Sequence, residues 1–253
     1  MNYKKNITLK VKVFESREEM GQKAARETGK ALRDQLNQKE VVNVIFAAAP
    51  SQNEFLKCLI KEEGIAWTRV NAFHMDEYIG LEKDAPQGFG NFLKMQIFDK
   101  VPFASVNYIN GQAEDLDQEC KRYGKLLNDY PVDIVCMGIG ENGHIAFNDP
   151  PVANFADKEH IKVVDLDNVC RQQQVNDGCF LTIDQVPRRA FTLTIPSLMK
   201  ASRIFCVVPG ERKAEAVANT LIEKRTNQHP STILRTHNNV VIYLDKQSSM
   251  MLV

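Results

Sequence analysis

Segments with the pattern of β-strands and segments with the pattern of α-helices alternate along almost the whole chain. Strands are predicted at 9–14, 41–47, 67–75, 132–138, 161–164, 190–195, 204–208 and 240–244. Helices are predicted at 17–38, 54–63, 92–98, 115–128 and 211–224. Such alternation is typical of βαβ units, in which helices cover both faces of one sheet. We therefore predict an α/β fold of three layers around a mostly parallel central sheet.

The length and composition fit a single domain. The 253 residues are 43% hydrophobic, enough to bury one large core or two small ones. No internal repeat, low-complexity tract or linker divides the chain. The simplest prediction is one domain spanning residues 1–253, in which the segment at about 150–184 is irregular and resembles a lid.

Charge and cysteine content argue against several classes of partner. The 32 basic residues balance the 32 acidic ones, and no basic amphipathic stretch is present. Neither a nucleic acid nor a membrane surface is therefore an expected partner. The six cysteines form no CxxC pair, so reduced thiols are expected. No apolar signal core follows Met1 and no run reaches membrane-spanning length, so we expect a cytoplasmic protein.

The run from Asp133 to Pro150 joins a buried strand to a glycine-rich loop. Apolar residues rich in Ile and Val follow Asp133, and three glycines come next, followed by His144 and, five residues later, Asp149. Ligands of open α/β sheets bind beyond the carboxyl ends of the strands. The loop is therefore a candidate active-site loop, and a glycine-rich turn around a hydrogen-bonded core histidine is the structural alternative.

The glycines at 138, 140 and 143 also match the fingerprint of dinucleotide-binding proteins. In that fingerprint the glycines open a helix whose N-terminus binds the pyrophosphate. Pro150 and Pro151 follow too soon for such a helix, because proline removes a backbone donor and clashes with the preceding turn. We therefore reject a nucleotide site, and no cofactor is predicted.

A second acidic loop follows the predicted strand at 67–75. Asp76 and Glu77 are adjacent, so their side chains point to opposite faces of a strand and only one is expected to face a cleft. A carboxylate beside another carboxylate or an apolar wall has a raised pKa, which suits general acid–base catalysis. A solvated acidic turn is the alternative. His74 and Asp76 lack a third ligand at metal spacing, so no metal is predicted.

Together the two loops resemble those of the glucosamine-6-phosphate deaminase (isomerase) family. Residues 75–81 match its Met-Asp-Glu-Tyr-x-Gly-Leu motif, and residues 138–150 match Gly-x-Gly-x-x-Gly-His-Ile-Ala-Phe-Asn-Glu-Pro. Lactonase relatives share the Gly-His pair but continue with Thr and a Ser-Leu-Phe-Pro run, which this chain lacks. Weaker matches extend the resemblance from about residue 14 to 244. It implies a modified Rossmann-like fold.

The resemblance implies a reaction and four catalytic residues. The family opens a pyranose ring, moves a proton between C2 and C1, and hydrolyses the resulting imine, which predicts a hydrolase and isomerase of amino-sugar metabolism. Asp76 would move the proton and His144 would assist ring opening. Asp149 stands where the family has a glutamate that orients this histidine, and Asn142 stands where many members have an aspartate.

The expected substrate is glucosamine 6-phosphate, which would yield fructose 6-phosphate and ammonia. The same chemistry on galactosamine 6-phosphate, or a non-catalytic sugar-phosphate sensor, is the alternative. The expected partner is thus a small amino-sugar phosphate, and the sequence leaves room for a homo-oligomer.

The resemblance also implies a set of substrate-binding residues: Ala49, Ser51, Gln52, Glu77, Gly138, Gly140, Ala146, Arg171 and Lys213. The family's glycine-rich phosphate loop is replaced by residues 47–52, although Ser51 is predicted to cap the next helix through a capping box. Lys213 matches the family's phosphate lysine. Arg171 lies near the position of the lid arginine, which Asn176 or Asp177 could also occupy.

Overall fold

The computed structural model describes residues 9–252, and their strands form two sheets. The larger sheet contains β1 (Lys10–Phe14), β2 (Val42–Phe46), β3 (Val70–His74), β5 (Ser105–Asn107), β6 (Ile134–Met137), β9 (Arg203–Val208) and β10 (Val240–Asp245). All of its strand pairs are parallel, in the order β1-β10-β9-β6-β2-β3-β5. The smaller sheet is antiparallel and contains β4 (Asp76–Tyr78), β7 (Ile161–Asp165) and β8 (Arg189–Leu193), with β8 in the middle.

Within the described residues, seven α-helices connect the strands. They are α1 (Arg17–Leu36), α2 (Asn53–Leu59), α3 (Phe89–Leu93), α4 (Leu116–Asp129), α5 (Asn168–Asn176), α6 (Ile195–Met199) and α7 (Ala214–Ile222). A π-helical turn, Lys94–Phe98, continues α3. No helix among residues 9–252 combines the length and the apolar character needed to cross a bilayer.

Strand β2 shows how the three layers arise. Its sequence Val-Asn-Val-Ile-Phe is buried at every position. Val44 and Phe46 belong to a hydrophobic cluster with residues of α1 and α2, whereas Ile45 belongs to a second cluster with residues of α4 and α7. Because alternate side chains of a strand point to opposite faces, the large sheet is the middle layer. The predicted α/β fold with a mostly parallel central sheet is confirmed.

The structure differs from the prediction where the chain leaves the large sheet. The run predicted as a strand from 67 to 75 begins with a 3-10 turn, Trp67–Arg69, and β3 ends at His74. Met75 is the only residue between β3 and β4, which belongs to the smaller sheet. The sequence pattern does not show this change because every residue of both strands is buried.

The predicted capping box at Ser51 is wrong. The helical structure begins with a 3-10 turn, Pro50–Gln52, whose first residue precedes Ser51. No side chain of residues 9–252 caps this turn. Proline favours this first position, since its fixed φ suits a helix and its missing N–H has no helical partner there. Helix α2 then ends at Leu59 rather than Glu63.

The segment at 150–184 contains the predicted strand, as β7, and also α5, which the sequence analysis did not predict. Asp167 caps α5 by accepting a hydrogen bond from the Val169 N–H at 2.7 Å. The residues that α5 buries include Arg171, Gln173 and Gln174. The sequence of α5 therefore lacks the apolar stripe by which helices are predicted. The extent of the domain, 1–253, stays a prediction.

Candidate active site

A cavity of about 60 Å³ lies at the carboxyl ends of β2, β3 and β6. The chain passes from β2 to β3 on one side, whereas β6 lies on the other side of β2, so the strand order reverses at β2. Ligands of open α/β sheets bind at such a switch point. Most of the predicted site residues line the cavity: Ala49, Ser51, Gln52, Asp76, Gly138, Gly140, His144, Ala146 and Lys213.

Asp76 reaches the cavity from the point where the chain moves between the two sheets. Its side chain is buried, and no described residue donates a hydrogen bond to its Oδ1. Burial raises the pKa of Asp76 well above its ordinary value, and the neighbouring charge of Glu77 raises it further. A carboxyl group with these properties can exchange a proton with a ligand.

Glu77, which was predicted to bind substrate, does not line this cavity. Its Oε1 accepts hydrogen bonds from the backbone N–H groups of Tyr78 and Phe89, at 3.0 and 2.9 Å, and its Oε2 accepts one from Gly90 at 2.8 Å. Burial raises the pKa of Glu77 to about 6, although these donors oppose the rise. Because adjacent strand residues point to opposite faces, Glu77 holds the start of α3 while Asp76 faces the cavity.

His144 is held by a compact loop that only glycine permits. The Gly140 N–H donates to the carbonyl oxygen of His144 at 2.9 Å, and Gly143 has a φ of +82°. A Cβ atom on Gly140 would lie 2.1 Å from the His144 ring. After Gly143 the chain continues in turns rather than in a helix. The helix that a dinucleotide-binding fingerprint would open does not follow these glycines.

Asp149 and Asn142 hold the histidine ring and its backbone. Asp149 is fully buried, with Oδ1 lying 2.9 Å from His144 Nδ1 and accepting a hydrogen bond from Asn142 Nδ2 at 2.9 Å. Asn142 Oδ1 accepts a hydrogen bond from the His144 N–H at 3.1 Å. Burial raises the pKa of Asp149, but His144, Asn142 and Cys170 together outweigh it, so the pKa lies below its ordinary value. An ionised Asp149 fixes Nδ1 as the donor and leaves Nε2 to exchange a proton.

Lys213 and Gln52 form another part of the cavity. Lys213 is buried, no described residue accepts a hydrogen bond from its Nζ, and burial lowers its pKa. Gln52 Nε2 donates to the carbonyl oxygen of Val207 at 3.1 Å and to Ser51 Oγ at 3.2 Å. The Gln52 side chain thus links the segment at 47–52, where the resemblance predicts glycines, to β9.

Arg171 does not reach the cavity, contrary to the prediction. Its Nη2 donates to the carbonyl oxygens of Ile183 and Val186, at 2.6 and 3.0 Å, so it ties α5 to the following turn. Gln173 and Gln174, also on α5, line the cavity instead. The sequence signal for them was the run of glutamines at 172–174, which is unusual for the buried side of a helix.

The sequence reasoning also missed the apolar part of the lining. This part comprises Ala47, Ala48, Met75, Phe89, Ile139 and Phe147. Several of these residues flank the predicted polar ones, and their position in the two loops was the available signal.

Two groups of side chains bear on the predicted absence of a metal. His74 is buried, its Nδ1 contacts the backbone oxygen of Asp76 at 2.9 Å, and its Nε2 accepts a hydrogen bond from the Ile109 N–H at 2.9 Å. The possible ligand atoms of His144, Asp149 and Cys170 lie within 4.8 Å of one another. The absence of a metal or cofactor stays a prediction.

Comparison with known proteins places this site in a family. A family model described as glucosamine-6-phosphate isomerases/6-phosphogluconolactonase matches residues 15–243. Glucosamine-6-phosphate deaminase of Thermoanaerobacter sp. (strain X514) is 32% identical over 248 residues, which cover 96% of this chain and 95% of that protein. The deaminase of Bacillus cytotoxicus is 38% identical over 189 residues, covering 75% and 70%.

The fold matches solved structures of both kinds of enzyme. A monomeric glucosamine-6-phosphate deaminase superposes with a TM-score of 0.88 at 29% identity, over 96% of this chain and all of that one. A 6-phosphogluconolactonase from Trypanosoma brucei superposes with a TM-score of 0.80, over 98% of this chain and all of that one, but at only 16% identity, so it shows the fold alone. The expected classification as a hydrolase is wrong, because the curated relatives are deaminases. Hydrolysis of the imine, which suggested it, is one step of a deamination.

Proposed function

The chain belongs to the family of glucosamine-6-phosphate isomerases and 6-phosphogluconolactonases, and from this premise we propose that it isomerises and deaminates glucosamine 6-phosphate. The products are fructose 6-phosphate and ammonia. One observation carries the proposal beyond the family: Asp76 and His144 line the same cavity. Asp76 has a buried oxygen with no partner among the described residues, and His144 is oriented by the carboxylate of Asp149.

His144 opens the sugar ring in the proposed mechanism. Its imidazole moves a proton from the anomeric hydroxyl to the ring oxygen, which converts the pyranose into the open-chain aldehyde. Asp149 supports this role, because its contact with Nδ1 leaves Nε2 to give and accept the proton.

Asp76 then carries out the isomerisation. As the carboxylate it takes the proton from C2, and the electron pair forms the C1–C2 double bond while the C1=O π electrons move to O1, which takes up a proton. The resulting enolamine then receives a proton at C1 as its nitrogen lone pair forms the C2=N bond. Water replaces the resulting imine nitrogen at C2, and ammonia leaves. The raised pKa of Asp76 supports this role, because a carboxylate in an apolar environment is a stronger base than one in water.

Lys213 supports the proposal that the substrate carries a phosphate. A buried ammonium group without an acceptor is unfavourable, and a bound dianion would compensate its charge. Lysine is a common phosphate ligand and acts there as a point charge. Gln52 and the helical turn that starts at Pro50 border the same cavity and offer it further polar groups.

A panel of substrates tests the proposal. Purified protein is supplied with glucosamine 6-phosphate, galactosamine 6-phosphate, free glucosamine and 6-phosphogluconolactone, and the release of ammonia and of acid is measured. We expect ammonia and a ketose phosphate from glucosamine 6-phosphate. The Asp76→Asn variant, prepared in parallel, controls for a contaminating deaminase.

Each other outcome contradicts the proposal in a different way. Faster turnover of the galacto epimer would move the assignment to that sugar. Tight binding of the amino-sugar phosphates without ammonia release would identify a sensor, and acid release from the lactone alone would identify a lactonase. The cytoplasmic location, the absence of nucleic-acid and membrane partners, and assembly into homo-oligomers stay predictions from the sequence.

A further inference from the structure

The two oxygens of Asp149 have unequal surroundings. Oδ1 contacts both His144 Nδ1 and Asn142 Nδ2 at 2.9 Å. Oδ2 is buried, and no donor of residues 9–252, sulfur included, stands in hydrogen-bond geometry with it. Buried carboxylates normally have donors around them, since an unsolvated negative charge is costly. Another group must therefore stabilise this one.

The side chain of Cys170 is the group beside it. Cys170 lies in the first turn of α5 and is buried, and its sulfur belongs to the set of atoms within 4.8 Å of one another that includes atoms of His144 and Asp149. We propose that Cys170 is a positioning residue: a small rotation of its side chain lets its thiol donate a hydrogen bond to Asp149, which keeps this carboxylate oriented toward His144. The inference rests on the proposed function, because ring opening is the step that the orientation of His144 would serve.

The chemistry of the thiol fits a donor rather than a nucleophile. Burial raises the pKa of Cys170 well above its ordinary value, and the charge of Asp149 raises it further, so the proton stays on sulfur. In turn, the hydrogen bond from Cys170 helps to hold the pKa of Asp149 low. A protonated thiol is a weak donor, but here the nearby acceptor is charged and the environment is buried, and both strengthen such bonds.

A metal site is a poorer explanation of the same cluster. His144 Nδ1 and Asp149 Oδ1 are 2.9 Å apart, which is a hydrogen-bond distance. Two ligands of one tetrahedral zinc ion, with bonds of about 2.0 Å, would lie about 3.3 Å apart. The observed spacing therefore fits a proton shared between two side chains.

Helix α5 delivers this donor to the loop. Gln173, one turn after Cys170, accepts a hydrogen bond through its Oε1 from the Glu141 N–H at 2.8 Å. Residues three apart lie on the same side of a helix, so Cys170 and Gln173 contact the histidine loop together. The orientation of His144 thus depends on whether α5 is packed against the histidine loop.

Two variants of Cys170 and a matched control test the proposal. Cys170→Ala removes the donor, Cys170→Ser supplies a hydroxyl donor, and Cys206→Ala removes another buried thiol, in β9 and outside the cavity. Both alanine variants should lower Tm by similar amounts. Only Cys170→Ala should lower kcat, between about 2- and 12-fold, the effect of one hydrogen bond, with KM unchanged. Cys170→Ser should recover most of this loss.

A measurement that does not need turnover separates this inference from the proposed function. The carboxyl carbon of Asp149 is titrated by NMR, and its pKa should be higher in Cys170→Ala than in the wild type or in Cys170→Ser. An unchanged titration, or a Cys170→Ser variant as slow as Cys170→Ala, would overturn the inference. Wild-type protein without ammonia release would overturn the proposed function instead, while the titration still decides on the Cys170 contact.

Discussion

Replacing Asp76 with asparagine should slow turnover strongly and stabilise the fold at the same time. Asparagine keeps the shape of the side chain but cannot take a proton from C2. Loss of a general base typically costs about 10²–10⁴-fold in rate, so kcat should fall within this range while KM changes little. The assay is ammonia release under saturating glucosamine 6-phosphate.

The stabilising effect follows from the raised pKa of Asp76, which burial causes and Glu77 reinforces. The folded chain holds this proton more tightly than the unfolded chain. The free energy of unfolding therefore falls as pH rises above the ordinary value of 3.8, until the raised folded-state pKa is passed. Asparagine removes this dependence, so the variant should gain on the wild type as pH increases through that window.

The gain should be about 0.5–2 kcal/mol, the usual range for one stabilising substitution. For a chain of this size it corresponds to a rise in Tm of roughly 1–8 °C. Denaturant unfolding of both proteins at several pH values measures the difference. A variant that loses turnover but also loses stability at neutral pH would refute the reasoning, because it would show that Asp76 is stabilised by contacts rather than held at a cost.

Four further substitutions test other parts of the site. His144→Gln should reduce turnover of the closed pyranose far more than that of an open-chain substrate analogue, measured by ammonia release from each. Gly140→Ala should approach the same loss of kcat, because its Cβ would lie 2.1 Å from the His144 ring; near-normal kcat would refute the packing argument. Asn142→Asp places a second carboxylate beside Asp149, so the acid limb of the kcat–pH profile should move to higher pH; an unmoved limb would remove position 142 from the proton network. Lys213→Ala should raise KM for glucosamine 6-phosphate by roughly 10- to 150-fold and leave the weak activity on free glucosamine unchanged; an equal effect on both sugars would exclude a phosphate contact.

The central sheet was predictable because its strands are buried on both faces. Strands such as β2 and β6 then read as short continuous apolar runs, which set them apart from the charged helices between them. The position of the site was predictable for a related reason. Polar residues that directly follow such runs must gather at the carboxyl edge of a parallel sheet, as Asp76 and His144 do.

The remaining features depend on contacts that sequence spacing does not specify. Arg171 bonds to backbone oxygens 12 and 15 residues further along, and no local pattern predicts where those oxygens lie. Glu77 was assigned to the cavity although alternation alone placed it opposite Asp76, so the error lay in carrying over a whole motif. Helix α5 was missed because the pattern that identifies helices is apolar, whereas its buried side is largely polar.

The polar inner side of α5 has a thermodynamic consequence for substrate entry. Helix α5 supplies Gln173 and Gln174 to the lining of the cavity, so its displacement would widen the route by which a hexose phosphate enters. Exposure of apolar surface raises the heat capacity, whereas exposure of polar surface lowers it. Phe180, in the adjoining segment, packs edge-on against Tyr78 with ring centroids 5.6 Å apart. Release of α5 alone should therefore change the heat capacity little. A van't Hoff plot of the fraction of molecules with α5 released should be almost linear, whereas the plot for global unfolding is strongly curved.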